Sequence, residues 1–297
     1  FQNHNFFPLL HCETVVFCEQ TQVESRRINA FQRKKQVRRL VVKVGTSTLT
    51  RDTGSLNLQN MERLARVLSD LEGMGYQVVL VSSGAIGIGT KKLRLDARPT
   101  ELRMKQATAA VGQCMMMHIY DKLFAEYNRT VAQILLTGED VDAPVRSEHL
   151  HNTFEALLEL GVIPVVNEND SVSSAEIETG QCKVLGDNDT LSAIVARLCG
   201  ADLLVLLSDI DGLYDADPRT HPEAELIHHV EAITPQLRAM AGGAGTWRGT
   251  GGMATKLNAA QIALDAGIEM VIANGSNIQS LYDIVNGADI GTRFAAP

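Results

Sequence analysis

Two lysines are the residues of this chain whose type and surroundings most suggest chemistry. Lys43 lies inside an apolar run, between Val42 and Val44, where an ammonium group is costly unless it reaches an anion or the edge of a site. Lys256 follows the glycine-rich segment GTGGMAT (249–255), which precedes a predicted helix. Backbone N–H groups at such a helix start, together with a lysine, favour a phosphate group. The alternative for Lys43 is a charged end that extends to solvent, and the residues alone leave it open.

Acids and amides are concentrated in two short segments, NEND (167–170) and GDND (186–189). Two acids and two amides at the end of a predicted strand could hold an amino group. The second segment lies just ahead of a predicted helix, so N-capping is the alternative for any one of Asp187, Asn188 and Asp189. Because a cap needs only one of them, the surplus indicates a site.

Several familiar site patterns are excluded. Gly84, Gly87 and Gly89 do not fit the dinucleotide-binding spacing, and Lys256 follows Thr255 rather than glycine, so the P-loop pattern is absent. The acidic segment 208–219 lacks the glycine and glutamate positions of a calcium loop. The chain offers no serine or cysteine nucleophile in a supporting context. Phosphoryl transfer, which needs mainly positioning and positive charge, therefore suits the two lysines best.

The elements that must position these residues alternate along the chain. Short apolar runs predict buried strands, and helical spacing of apolar residues predicts helices between them. The strands are predicted at 39–45, 77–82, 131–136, 162–167, 203–208 and 269–274, and the helices at 58–75, 104–127, 149–161, 190–200, 256–267 and about 277–286. This alternation predicts an α/β fold with a mainly parallel sheet, in which ligands bind at the carboxyl ends of the strands.

Two local features carry further expectations. The helix at 104–127 is predicted to be amphipathic, and its apolar side is formed by Met104, Ala107, Val111, Cys114, Met115, His118, Ile119 and Leu123. Alternating apolar positions around Thr179 and Gly180 predict a hairpin over 171–186.

The first 37 residues differ from the remainder. We expect them to form a flexible N-terminal extension, and residues 38–297 to form the folded domain. Residues 26–39 contain seven basic residues and no acid. That run suits a nucleic-acid or membrane patch, or a solvated segment ahead of the first strand. The net charge of −8 argues against a general nucleic-acid binder.

The composition is that of an ordinary globular protein, with 45% hydrophobic and 21% charged residues. The five cysteines are scattered without metal-binding spacing, which favours reduced thiols and a cytoplasmic location. No apolar run reaches transmembrane length, so we expect no membrane partner.

Six motifs occur in the order seen in one known family. VVKVGTS, VSSGAIGIG, NEND, GDND, SDIDGLYDADPR and GTGGMATK, with KQATAAVGQ (105–113), resemble the glutamate 5-kinases of the amino acid kinase family over about 38–296. The resemblance implies a three-layer α/β/α sandwich with a mainly parallel central sheet. It implies ATP-dependent phosphorylation of the γ-carboxylate of L-glutamate, which gives L-glutamyl 5-phosphate and ADP and is the first step of proline biosynthesis.

The resemblance also implies residue roles. The catalytic group is Lys43 and Lys256, which steady the transferring phosphoryl group, Asp189, which orients both lysines, and Asp187, which supports the glutamate pocket or the lysines. The N-terminal part would bind glutamate through Ser83, Gly84, Asp170 and Asn188. The part from about residue 200 would bind ATP through Ser208, Asp209, Thr250, Gly251, Gly252, Met253, Ala254, Thr255 and Lys256, with Lys43 from the first strand.

Further family properties are expectations of the same kind. Mg²⁺ would be held mainly by nucleotide phosphates and water, without a direct protein ligand. L-Proline would be a feedback inhibitor, and the chain would form a homo-oligomer, a dimer or tetramer. Many bacterial members continue into an RNA-binding-like PUA domain, and we expect none within residues 38–297. The rival interpretations are another amino acid kinase, for acetylglutamate, aspartate or carbamate, and a non-catalytic amino-acid sensor of the same fold.

Overall fold

The predicted sheet is present in the computed structural model, which describes residues 37–51, 54–173, 187–218, 220–240 and 252–296. The strands are β1 (Arg39–Val44), β2 (Gln77–Ser82), β3 (Val131–Leu136), β4 (Ile163–Glu168), β5 (Leu203–Ser208), β6 (Leu213–Tyr214), β7 (Leu226–Ile227), β8 (His229–Val230), β9 (Glu269–Asn274) and β10 (Thr292–Phe294). The helices are α1 (Thr46–Leu49), α2 (Leu58–Gly73), α3 (Ala85–Lys92), α4 (Leu102–Ala125), α5 (Gly138–Asp142), α6 (Pro144–Glu159), α7 (Asn188–Leu198), α8 (Pro235–Met240), α9 (Met253–Asp265) and α10 (Ser280–Val285).

The main sheet has eight strands in the order β3-β4-β2-β1-β5-β9-β10-β8. From β3 to β9 every neighbouring pair is parallel, and β10 runs antiparallel to β9. The chain first builds the sheet on one side of β1 and then returns to its other side as β5. Such a reversal opens a crevice at the carboxyl ends of the strands, and here it lies between β1 and β5.

Successive residues of a strand face opposite sides of the sheet, and in β1 apolar residues face both sides. Helices cover both faces and bury these residues. Val41 packs in a core with Phe154 of α6 and Leu191 of α7. Leu40 and Val42, its neighbours in β1, belong to a second core with Met61, Tyr120 and Leu281 from α2, α4 and α10. The predicted three-layer α/β/α sandwich is confirmed.

The predicted apolar side of the longest helix, now α4, is wrong. Of the eight residues expected on that side, only Ile119 is buried, and the others are partly or fully exposed. The buried residues of α4 are Thr108, Ala109, Gly112, Gln113, Met116, Ile119, Tyr120 and Phe124. Apolar residues occur around the whole helix, so their spacing does not select one face.

Two glycines select the buried face of α4. A Cβ atom on Gly112 would lie 1.8 Å from the carbonyl oxygen of Ala85, and one on Gly89 would lie 1.9 Å from that of Thr108. The backbones of α3 and α4 therefore touch at these two positions, which no larger residue would permit. This contact brings the polar side chain of Gln113 towards the strand ends.

Several element boundaries differ from those predicted. The glycine-rich turn after β2 continues directly into α3, whose N-cap, Gly84, has a left-handed φ of 99° that favours glycine. Helices α6, α7 and α9 all begin earlier than their apolar spacing indicated, because caps and proline, rather than apolar residues, determine where a helix begins. Most of the predicted hairpin, residues 174–186, lies outside the described residues. In the described part of the chain, no helix is long and apolar enough to span a membrane.

Candidate active site

Asp189 lies between the two lysines singled out in the sequence. Its Oδ1 atom is 2.6 Å from Nζ of Lys43, and its Oδ2 atom is 3.0 Å from Nζ of Lys256. All three side chains are almost completely buried. The hydroxyl of Thr255 lies 3.0 Å from Oδ2 and 2.8 Å from the carbonyl oxygen of Gly252, so its one proton is shared between these two acceptors. Residues that lie more than 200 positions apart in the chain thus meet around one carboxylate.

Each member of this group is positioned by a different element. Lys43 is two residues after Val41 in β1, so the alternation of the strand directs it to the same face, which α7 covers. Asp189 lies in the first turn of α7, and Lys256 lies in the first turn of α9. Because α7 and α9 pack against each other on that face, the carboxylate and both ammonium groups converge at the end of β1.

The electrostatics of the group favour an anion. Burial alone would raise the pKa of Asp189, but the charges of Lys43 and Lys256 outweigh it and lower the pKa to about 2. The carboxylate is therefore ionised at neutral pH, and the three groups carry a net charge of +1. In the part of the chain that the structure describes, Asp189 is the acid paired with these two lysines, and a buried excess of positive charge is suited to bind a phosphate group.

The structure distinguishes the three consecutive polar residues that precede α7. Asp187 is the N-cap: its Oδ1 atom accepts hydrogen bonds from the backbone N–H groups of Asp189 and Thr190, at 2.7 and 2.9 Å. Asn188 and Asp189 are left for other contacts, as the surplus of polar residues indicated. Within the described ranges, the hydrogen bonds of Asp187 are with the first turn of α7. Its catalytic role stays a prediction.

Asn188 belongs to a group of neutral polar side chains beside the lysines. The two N–H groups of its Nδ2 atom face three acceptors, Ser83 Oγ (2.8 Å), Asn167 Oδ1 (3.1 Å) and the carbonyl oxygen of Ser82 (3.3 Å), so at least one N–H is shared. Asn167 in turn donates to Gln113 Oε1 of α4, at 3.0 Å. Two of the predicted glutamate-binding residues, Ser83 and Asn188, are therefore in direct contact. We call the four side chains of Ser83, Asn188, Asn167 and Gln113 the amide cluster.

Asp170, also predicted to bind glutamate, follows β4 by two residues. Burial and the nearby charge of Glu168 raise its pKa to about 6, against a smaller opposing effect of Arg98. Asp170 is thus a carboxylate in unfavourable surroundings, which a ligand cation would relieve. Gly84 is the N-cap of α3, directly after Ser83.

The predicted nucleotide residues follow β5 and precede α9. Ser208 is the last residue of β5, and its hydroxyl donates to Asp209 Oδ1 at 3.2 Å. Gly252 is the N-cap of α9 without a side-chain cap, and Met253, Ala254, Thr255 and Lys256 form the first turn. The free N–H groups of that turn can contact phosphate oxygens. Thr250 and Gly251 lie outside the described residues.

Sequence reasoning missed some of these contacts. Asn167 was part of a polar segment without a role of its own, and Gln113 was part of a motif without a position in the site. Thr255 was expected to contact ATP, yet its side chain contacts Asp189. The only local signal for Gln113 was a polar residue among apolar ones.

The donor set near the lysines bears on Mg²⁺. Over the residues that the structure describes, no group of three or more histidine, cysteine, aspartate or glutamate side chains is placed to hold a metal ion. A carboxylate already paired with two ammonium groups is a poor metal ligand. The residues present would fit an ion that obtains most of its ligands from nucleotide phosphates and water.

An α/β/α sandwich in which two lysines pair with one carboxylate at the strand ends is suited to phosphoryl transfer. The comparisons with known proteins agree with that class. The profile of the amino acid kinase family matches residues 38–274, so the chain belongs to the amino acid kinase family. Within that family, a protein named glutamate 5-kinase from Clostridium perfringens is 55% identical over 262 residues, covering 88% of this chain and 97% of that protein. A glutamate 5-kinase from Listeria monocytogenes is 52% identical, covering 88% and 94%. The resemblance drawn from the motifs is confirmed.

Solved structures share the fold at much lower identity. A carbamate kinase from Giardia lamblia bound to AMP-PNP has a TM-score of 0.63 and 16% identity, covering 89% of this chain and 99% of that one. An isopentenyl phosphate kinase from T. acidophilum has a TM-score of 0.58 and 16% identity, covering 86% and 99%. At this identity the likeness concerns the fold alone.

Proposed function

We propose that the protein transfers the γ-phosphoryl group of ATP to the γ-carboxylate of L-glutamate, giving L-glutamyl 5-phosphate and ADP, the first step of proline biosynthesis. The observation that carries the proposal is the pairing of Lys43 and Lys256 on Asp189, at 2.6 and 3.0 Å, in a buried site at the strand ends. The relatives named glutamate 5-kinase, at 50 to 55% identity, support this choice of acceptor.

The chemistry requires little from the protein beyond charge and position. A γ-carboxylate oxygen attacks the γ-phosphorus, the bond to the β-phosphate oxygen breaks, and ADP leaves with the electron pair. Because both reactants are anions, their approach is repulsive without cations between them. Lys43 and Lys256 would offset that repulsion most strongly as charge spreads over the phosphoryl oxygens in the transition state. Asp189 would keep both ammonium groups in place.

Glutamate would be held by the residues after β2 and β4. Asp170 would pair with the α-ammonium group, and that cation would favour the ionised form of a carboxylate whose pKa is otherwise raised. Ser83 and Asn188 would contact the polar groups of the same ligand. The N-terminal part of the fold thus supplies the acceptor site, and the part from β5 onwards supplies the nucleotide site.

The nucleotide would lie along the end of β5 and the start of α9. Ser208 and Asp209 would line its sugar or base side, and the first turn of α9 would contact its phosphates. Mg²⁺ would be held mainly by the nucleotide phosphates and water, and it would supply further positive charge beside the two lysines. Inhibition by L-proline, assembly into a homo-oligomer and a cytoplasmic location are further parts of the proposal.

A panel of acceptors tests the substrate directly. The protein would be incubated with ATP, Mg²⁺ and one of L-glutamate, N-acetylglutamate, L-aspartate or carbamate, and acyl phosphate would be trapped with hydroxylamine. We expect hydroxamate from L-glutamate in clear excess. Hydroxamate from another acid alone would refute the choice of glutamate. A protein that binds glutamate without turnover would be a sensor of the same fold, an interpretation that the intact pairing of both lysines disfavours.

A further inference from the structure

The amide cluster forms a chain of hydrogen bonds with a defined direction. It runs from Asn188 to Asn167 at 3.1 Å and from Asn167 to Gln113 at 3.0 Å. In each step an amide nitrogen donates to the amide oxygen of the next residue. Reversing one amide would place two donors or two acceptors face to face, so the three amides must keep one common direction.

A main-chain carbonyl determines that direction at one end. The carbonyl oxygen of Ser82, 3.3 Å from Asn188, can only accept a hydrogen bond, so the nitrogen of the Asn188 amide must face it. The oxygen of Asn167 must then face Asn188, and its nitrogen must face Gln113. The nitrogen of Asn167 therefore requires an acceptor, and Oε1 of Gln113 supplies it.

Gln113 occupies this buried position at an energetic cost. Its side chain is buried, and among the described residues its Nε2 atom has no hydrogen-bond partner. Leaving a buried donor unpaired is costly, and an apolar residue would avoid that cost. The neighbouring Gly112, which lets α4 touch α3, brings Gln113 within reach of the strand ends. What Gln113 contributes in return is its oxygen atom.

We propose that Gln113 is a positioning residue that sets the direction of the amides in the glutamate pocket through Asn167 and Asn188. The proposal rests on the proposed function. With the Asn188 nitrogen turned towards Ser82, Ser83 and Asn167, its Oδ1 atom is the part of the amide that remains for a ligand. An oxygen there accepts a hydrogen bond from an ammonium group and disfavours a carboxylate.

The same series of hydrogen bonds determines the role of the Ser83 hydroxyl. Its Oγ atom accepts a hydrogen bond from Asn188 at 2.8 Å, which leaves the hydroxyl proton free to be donated. A ligand therefore meets an acceptor at Asn188 and a donor at Ser83. An amino acid, with an ammonium and a carboxylate on the same carbon, matches that pair, whereas glutarate, which lacks the ammonium, uses only half of it.

The test replaces the acceptor and compares these two acids. Gln113→Met has a side chain of similar size without an oxygen, and Gln113→Glu keeps an oxygen at the same position. For Gln113→Met we expect the KM for L-glutamate to rise about tenfold, the value of one lost hydrogen bond, while the KM for ATP stays within about twofold. In the same variant, the preference for glutamate over glutarate should decrease. Gln113→Glu should restore part of the affinity for glutamate and part of that preference.

Thr108→Val is the matched control, because it removes a different buried polar group, a hydroxyl without a partner among the described residues, on the same helix but outside the amide cluster. It should leave both KM values and the preference unchanged. If Gln113→Met does not fold, Gln113→Ala serves as the variant without an acceptor. An unchanged KM for glutamate, a Gln113→Glu variant as impaired as Gln113→Met, or a Thr108→Val variant with the same change would each overturn the proposal. If the wild-type protein itself has no activity on glutamate, the proposed function is refuted instead.

Discussion

Asp189 and Asp170 are both substantially buried carboxylates at the same edge of the sheet, and they have opposite surroundings. Asp189 has two lysines of its own chain within 3.0 Å, and its pKa falls to about 2 despite burial. Asp170 faces burial and the charge of Glu168, and its pKa rises to about 6. Among the described residues, Asp189 has both of its cations within the protein, whereas the raised pKa of Asp170 is opposed only by the smaller effect of Arg98. We interpret the first as part of the catalytic group and the second as part of the substrate site.

The largest expected effect concerns the site of Asp189, the carboxylate that is paired with two lysines. Lys256→Ala should lower kcat by roughly two to three orders of magnitude, because it removes a charge that acts mainly in the transition state. The fold should persist, since Lys43 still neutralises Asp189. Steady-state kinetics and a thermal melting curve check both statements. Lys122→Ala, an exposed lysine on α4, is the control, and a Lys256→Ala variant with near wild-type kcat would refute the catalytic role.

A smaller, pH-dependent effect concerns Asp170, the carboxylate whose pKa is raised. Because the pKa of Asp170 is about 6, this residue is partly protonated at pH 5 to 6 and ionised at pH 7 to 8. The KM for glutamate should therefore fall as pH rises from 5 to 7.5, since only the ionised form pairs with an ammonium group. In Asp170→Asn the KM should be about tenfold or more higher at pH 7.5, and this pH dependence should vanish. Asp121→Asn, an exposed acid, should behave like wild type.

The two carboxylates also contribute to stability with opposite signs. The lowered pKa of Asp189 gives stability that is present above pH 3.8 and lost as pH falls towards 2. The raised pKa of Asp170 gives stability that is present below pH 3.8 and lost as pH rises through about 6. Asp170→Asn should therefore not destabilise the empty protein at pH 7.5. A clear loss of stability in urea unfolding would show that Asp170 has a cation partner within the protein.

The smallest expected effect concerns the cap that holds Asp189 in place. Asp187→Ala should lower the free energy of unfolding by about 1 kcal/mol, because the first N–H groups of α7 lose their acceptor. Asp187→Asn should recover most of that stability, since asparagine is also a good N-cap. Chemical denaturation measures both. Equal stability losses in the two variants would show that the charge, rather than the cap, is what α7 requires.

The catalytic group was far more predictable from sequence than the pocket beside it. Lys43 is conspicuous as a charge in a buried strand, and Lys256 follows an unusual glycine-rich segment. Strand order then brings them together, because both lie at the carboxyl ends. The amide cluster was predictable only in part. Ser83, Asn188 and the segment that contains Asn167 were singled out in the sequence, whereas Gln113 joins them through the close approach of α3 and α4, which depends on Gly89 and Gly112 rather than on apolar spacing. The wrong face of α4 was predicted to be buried because apolar residues occur around the whole helix, and the glycine contact, which does select the face, has no apolar pattern.

The most direct test of the central claim is the ratio of the two products in one reaction. Wild-type protein with ATP, Mg²⁺ and L-glutamate would be assayed for ADP and, after trapping with hydroxylamine, for γ-glutamyl hydroxamate. If the phosphoryl group passes to the γ-carboxylate, the two products should appear in a ratio close to one, and ADP should not accumulate without glutamate. ADP formed without hydroxamate, or at the same rate without glutamate, would contradict the account.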